Sequence, residues 1–197
     1  MDKRLQDADV IIFDIGNVLI NFDRQYIAEK MLPSSLVDYT NKPYFQKVWD
    51  QLDEGTLTSQ QAASLFCDTY NITQSTQLFI QMMDEFHPFC QPLPLSNALK
   101  QLHNMGKKVY LLTNYGKTSF INSRHYFDFL QNVDGAVVSS FEKICKPHSA
   151  LYQILLDRYA INPANAVYVD DRLENIEEGR KMGLTAIWYP SEYRESI

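Results

Sequence analysis

The sequence predicts an α/β fold: a Rossmann-like three-layer core of parallel strands between helices, with a small α-helical module inserted after the first strand. Three observations carry that prediction. Short apolar runs bounded by polar residues recur five times along the chain. Helix-spaced apolar patterns lie between the later runs. The stretch 21–94 has helical patterns and no strand-like run.

Val10–Phe13 is the first run, continuous and apolar, as in a parallel strand covered on both faces. The stretch 21–94 is rich in Gln, Thr, Tyr and Phe. Its spacing predicts helices over 59–70 and 76–86, with Thr58 or Ser59 capping the first. Pro88, Pro92 and Pro94 make a stiff connection onward. A helix over 95–105 follows, with Leu95, Ala98, Leu99, Leu102 and Met105 on one face and Gly106 behind it as a stop. Then come a strand over 109–112, a strand over 136–138, a helix over 150–159 and a strand over 166–169. A helix over 176–182, closed by Gly183, leads to the last strand, Thr185–Trp188. Strands alternating with helices give a parallel sheet with right-handed crossovers. The resulting division is a core of 1–20 and 95–197 and a helical cap of 21–94.

A chain of 197 residues, 45% of them apolar, can pack one large domain or a core with a modest second module. The net charge of −6 argues against a nucleic-acid surface. Cys67, Cys90 and Cys145 lack metal-like spacing and read as free thiols in a reducing compartment. The segment before Val10 is short and polar, and Asp14 interrupts the apolar run behind it. That pattern is neither a secretory signal nor a membrane span, which needs about 18 apolar residues. The expectation is a cytoplasmic protein without nucleic-acid or membrane partners. With no sustained heptad, it is expected to be a monomer.

Parallel sheets bind ligands at the carboxyl ends of their strands. Asp14, Thr113 and the Asp170–Asp171 pair each sit at such an end. Lys146 lies in a loop before a helix, with Pro147 suited to that helix's first turn. Each has an ordinary role if taken alone: Asp14 a turn, Thr113 and Asn114 a cap, Lys146 a solvated surface, Asp171 an N-cap. Their convergence from distant parts of the sequence favours a site. Together they supply a nucleophile, hydroxyl and amide donors, a cation and metal-binding carboxylates, the parts needed to handle a phosphate.

These stretches resemble the four motifs of the haloacid dehalogenase-like hydrolases. Phe13-Asp14-Ile15-Gly16-Asn17-Val18-Leu19 matches the first, Leu111-Leu112-Thr113-Asn114 the second and Lys146-Pro147 the third. Val169-Asp170-Asp171, with Asn175 and Gly183 beyond, matches the fourth. The likeness spans nearly the whole chain, and the insert looks like the small C1-type cap of that family. The first motif is similar to that of sugar-phosphate phosphatases acting on α-glucose 1-phosphate. The resemblance implies an aspartyl-phosphate formed on Asp14. It implies Mg²⁺ held by Asp14, the Gly16 carbonyl and Asp171, with Asp170 acting directly or through water. Thr113, the Asn114 backbone and Lys146 would bind the phosphoryl oxygens of a small phosphorylated metabolite.

One position departs from the family's pattern. Most of its phosphatases carry a second Asp where this chain has Gly16, and that Asp protonates the leaving group. Such help is worth roughly 10²–10⁴ in rate. Gly16 therefore implies either a substitute acid or a leaving group that needs little help, such as an anomeric hydroxyl. Asp23 is one candidate substitute, although a solvated carboxylate is the simpler reading of it. Two other functions compete: a hydrolytic dehalogenase attacking carbon through Asp14, and a phosphate-binding protein without catalysis.

Overall fold

The computed structural model describes residues 2–190. Five parallel strands form one sheet in the order β3-β2-β1-β4-β5. They are β1 (Val10–Phe13), β2 (Lys108–Thr113), β3 (Gly135–Val138), β4 (Ala166–Asp170) and β5 (Thr185–Trp188). β1 lies at the centre, where Phe13 pairs with Leu111 of β2 and Val169 of β4. The chain order reverses across β1, so its end is the switch point of the sheet.

The central strands are apolar between their ends because both faces are covered. Ile11, Phe13, Val109, Leu111, Val167 and Val169 face one cluster, and Ile12, Tyr110, Leu112 and Tyr168 face the other. This alternation is the strand period of two. Helix α7 (Pro94–Asn104) covers the first face with Leu95, Leu99 and Leu102, beside Phe120 of α8 (Lys117–Tyr126). On the second face, α10 (Ser149–Arg158) contributes Leu151, Tyr152 and Leu155, and α11 (Leu173–Lys181) contributes Ile176. Each fully buried side chain of this size is worth about 1.5–3 kcal/mol.

Helices α2 (Arg24–Met31), α3 (Ser34–Val37), α4 (Pro43–Glu54), α5 (Ser59–Thr69) and α6 (Thr76–Asp84) lie between β1 and β2. A short α1 (Lys3–Asp7) precedes the sheet, and a short α9 (Ser139–Glu142) follows β3. α4 starts on Pro43 and buries Phe45, Val48, Trp49 and Leu52, the i, i+3, i+4, i+7 face of a helix. It stops at Gly55, whose φ of 76° is left-handed. A Cβ on Gly55 would stand 2.2 Å from the Ser140 carbonyl oxygen, so α4 meets α9 backbone to backbone. α5 begins with a capping box between Thr58 and Gln61. Phe45 of α4, Phe66 of α5 and Phe79 of α6 stack together with centroids 5.0–5.9 Å apart. They belong to the same apolar cluster as the first face of the sheet, so insert and sheet share one core.

The two crossings between sheet and insert are tied together. Asn21 N donates to Gln91 O at 2.9 Å, and Leu93 N donates to Leu19 O at 2.8 Å. Gln91 N also donates to the Asn21 side chain.

Several expected bounds change. α10 starts at Ser149 with His148 as its cap, so Pro147 lies ahead of the helix rather than in its first turn. α11 starts at Leu173 after Arg172, which removes Asp171 from the N-cap position. Met105 falls beyond the end of α7 and is 49% exposed, because Gly106 turns the chain away there. α8 was not foreseen, since only Ser119, Phe120 and Ser123 of it are buried and its pattern is weak. Among the described residues, no helix is long and apolar enough to cross a membrane.

Candidate active site

Asp14 follows β1 directly, and its N–H donates to Val169 O at 3.0 Å, which continues the sheet by one bond. The chain then folds back at once. Ile15 O accepts from Leu19 N at 2.9 Å and from Ile20 N at 3.1 Å. Asn17 has a φ of 58°, a conformation that Asn tolerates better than most residues. Its side-chain oxygen accepts from Phe22 N at 3.0 Å. This tight return leaves Asp14 and Gly16 facing a cleft of about 910 Å³.

Three later segments meet Asp14 there. Lys146 is not a surface lysine: its side chain is 1% exposed. Its Nζ lies 3.0 Å from Asp14 Oδ1 and 2.7 Å from Asp170 Oδ2, and donates to Leu112 O at 2.8 Å. The Asn114 side chain fixes the Lys146 backbone, with Nδ2 donating to its carbonyl at 3.0 Å and Oδ1 accepting from its N–H at 2.8 Å. Neither Thr113 nor Asn114 caps a helix, because α8 begins only at Lys117 after Gly116. Thr113 ends β2 fully buried, and its hydroxyl has no hydrogen-bond partner among the described residues.

Asp170 ends β4. Its Oδ2 accepts from Lys146 Nζ and the Tyr168 hydroxyl, and its Oδ1 from Arg172 N at 2.8 Å and Asn175 Nδ2 at 2.9 Å. A carboxylate offers about four lone-pair sites, so Asp170 is nearly saturated. Asp171 is half-buried, and its carbonyl accepts from Trp188 Nε1 at 2.9 Å. Asp14, Asp170 and Asp171 each bring a carboxylate oxygen within 4.8 Å of the others.

Burial pushes the Asp14 carboxyl up; Lys146 pulls it down, and Asp170 and Asp171 push it up again, leaving it at about 7. Lys146 feels the opposite balance. Burial opposes its charge, but Asp14 and Asp170 raise it above its ordinary value, so it stays protonated. The cluster at the end of β1 thus sets one buried cation against three acids.

The insert adds further groups, of which the sequence did not single out Arg24, Asp50 and Asp53. Trp49, Asp50 and Asp53 of α4 and Arg24 of α2 line the cleft with Phe22. Asp23 borders its mouth, exposed, and caps α2 by accepting from Tyr26 N at 3.0 Å. Behind Asp14 a recess of about 80 Å³ opens between Phe22, Trp49, Asp53, Phe86 and Tyr115. Of the aromatic residues of the insert, Phe22 and Trp49 face this space, Phe45 is core and Tyr26 is exposed. Asp53 carried one signal in the sequence. With Glu54 it puts two acids in the last turn of α4, where the helix dipole disfavours negative charge.

Comparison with known proteins yields one family and several relatives. A family model described as haloacid dehalogenase-like hydrolase matches residues 8–183. The chain is similar to a sesquiterpene phosphatase of Aspergillus oryzae, at 22% identity over 178 residues, covering 89% of this chain and 87% of the relative. It is also similar to a drimenol cyclase of Aspergillus calidoustus, at 24% identity over 190 residues. That match covers 91% of this chain and 33% of the cyclase, so the chain spans about a third of that relative. Among solved structures it resembles an enzyme of Bacteroides thetaiotaomicron in complex with magnesium and inorganic phosphate. The TM-score is 0.76 at 19% identity, over 92% of this chain and 93% of the other.

Proposed function

The chain belongs to the haloacid dehalogenase-like hydrolases, and from that premise we propose that it is a Mg²⁺-dependent phosphatase of small phosphorylated metabolites. The observation that carries the proposal is the junction of Asp14, Lys146, Asp170 and Asp171 at one rim of the sheet. A haloalkyl substrate would give three clustered carboxylates nothing to do. A phosphate with a divalent cation uses all of them.

The residues fit such a cation. Three carboxylates answered by one lysine leave net negative charge, and hard oxygen donors are what Mg²⁺ prefers. Asp14, Asp171 and the Gly16 carbonyl would hold it, with Asp170 acting directly or through a bound water. When bound, it neutralises the phosphoryl oxygens and keeps Asp14 ionised. Lys146 would balance the remaining charge, and the unpartnered Thr113 hydroxyl and the Asn114 backbone would hold phosphoryl oxygens. Asp14 would then attack phosphorus and form an aspartyl-phosphate that water hydrolyses. Every group in this reading comes from one chain, so a monomer suffices.

For the substrate we propose a sugar phosphate such as glucose 1-phosphate. The cleft outside the recess carries Asn21, Gln25, Asn41 and Gln46, amides suited to hydroxyl groups. A second reading, a prenyl phosphate, is favoured by the aromatic recess and by the activity of the Aspergillus oryzae relative. The recess holds only about two or three waters' volume, too little for a long isoprenoid chain. A turnover screen with Mg²⁺ over p-nitrophenyl phosphate, hexose 1-phosphates and prenyl phosphates tests the reading. Turnover that chelator and Asp14→Asn both abolish supports it; metal-independent release of halide from a haloacid overturns it.

A further inference from the structure

The recess behind Asp14 contains only three titratable side chains among those lining it: Asp14, Asp53 and Tyr115. Tyr115 is committed, its hydroxyl lying 2.9 Å from Ser123 Oγ. The remaining hydroxyl there, Ser119, donates to Gly116 O at 3.0 Å. Outside the recess, Asp23 is spent on its helix cap and Asp50 accepts from Gln46 Nε2 at 2.6 Å in the exposed mouth. Gly16, the position where the family's pattern places its acid, lines the same small space.

We propose that Asp53, carried in by the insert, is the acid and base that Gly16 does not provide. This rests on the phosphatase reading and adds a residue to it. In the first step an oxygen of Asp14 bonds to phosphorus and the bond to the leaving oxygen breaks. The Asp53 proton goes to that oxygen, so a neutral alcohol departs and Asp53 becomes a carboxylate. In the second step water attacks the phosphorus, its proton returns to Asp53, and the Asp14–phosphorus bond breaks to release phosphate.

The surroundings of Asp53 suit a group that must exchange a proton near neutrality. Burial raises its carboxyl most and Asp50 raises it further. The Gly116 N–H and the Trp49 side chain lower it, and Asp14 raises it again, to about 7. Across the cleft, Arg24 of α2 also feels Asp53 and Asp50; on the core side Cys145 feels both, and Tyr115 feels Asp53 and Asp14. Unlike Asp14, Asp53 makes no salt bridge with a lysine or arginine among the described residues. A Cβ at Gly16 would meet nothing closer than Phe22 Cβ at 4.0 Å, and Gly16 lines the recess, so the backbone there accepts the start of an aspartate side chain.

The test is first-turnover kinetics with Mg²⁺ on p-nitrophenyl phosphate and on a primary alkyl phosphate. Wild-type turnover of p-nitrophenyl phosphate that Asp14→Asn abolishes establishes the phosphatase reading on its own. Asp53→Asn keeps an acceptor for the Gly116 N–H. It is expected to slow alcohol release from the alkyl phosphate by about 10²–10⁴ and release of p-nitrophenolate by at most about tenfold. It should then show a stoichiometric burst, because water attack has lost its base. The wild-type rate on the alkyl ester falls above a pH of about 7, and the variant loses that limb. Gly16→Asp added to Asp53→Asn recovers at least about tenfold on the alkyl ester. Equal losses on both substrates, or no loss on either, overturn the role of Asp53 and leave the phosphatase standing.

Discussion

The rim of the sheet and the insert that covers it hold their carboxylates in opposite ways. At the rim, Asp170 accepts four hydrogen bonds and Asp14 lies 3.0 Å from a buried lysine. In the insert, Asp53 sits at the end of a helix, beside the Gly116 N–H and Trp49, with another acid one turn away. The rim compensates buried negative charge; the insert makes it costly. On the proposed reading, one region presents an anion to phosphorus and the other keeps a proton within reach of it.

The contrast can be broken at several points. The largest effect expected is from Asp14→Asn, which should lower Mg²⁺-dependent turnover by about 10⁴ or more, as removal of a nucleophile does. A variant retaining a tenth of wild-type rate would move the chemistry away from the rim. Lys146→Met comes next. It leaves Asp14 and Asp170 without their cation and should cost about 3–5 kcal/mol in denaturant unfolding at pH 8. The cost should shrink at pH 5, where Asp14, raised to about 7, takes a proton. An equal loss at both pH values would show that Lys146 acts through packing alone.

Phe66→Ala probes the insert. Phe66 is fully buried against Phe45 and Phe79, and its truncation should cost about 3–5 kcal/mol. Because insert and sheet share a core, unfolding should remain one transition by both tryptophan fluorescence and circular dichroism. Two separated transitions would make the insert an independent unit.

The smallest effect is a pH dependence. The folded chain holds a proton on Asp53 between about pH 4 and 7 that the unfolded chain has released. That contribution is complete at acid pH and disappears as pH rises through about 7. Asp53→Asn should therefore gain on wild type by on the order of 1–3 kcal/mol between pH 4 and pH 8. An unchanged difference between the two melting temperatures across that range would remove the contrast.

Much of the rim was legible in the sequence because its groups, apart from the loop residue Lys146, end or directly follow a strand. A strand buried on both faces reads as a continuous apolar run, and the first polar residue after it marks the ligand side of the sheet. Val10–Phe13 followed by Asp14 is such a reading, and β1 and β5 have the expected bounds. Asp53 was hidden for a different reason. Along α4 it looks like one of a group of solvated acids with Asp50 and Glu54. What brings it to Asp14 is how the helix docks on the core, which no local pattern encodes. The misread start of α11 has the same origin: Leu173 in its first turn is exposed rather than buried, and Asp170, outside the helix, accepts from Arg172 N.

Where α4 ends against α9, Gly55 lies directly on the Ser140 main chain and leaves no room for a side chain between them. The Ser139 hydroxyl donates to the Asp53 carbonyl at that seam and accepts from Tyr115 N at 3.0 Å. A hinge needs a joint that can part, and here both the seam and the paired strands of chain at Asn21 and Gln91 are fastened. These fastenings lead to the expectation that reactants and products pass through a fixed mouth instead of waiting for a roof to swing. Scattering profiles should coincide with and without phosphate, and added viscogen should leave the turnover number unaltered.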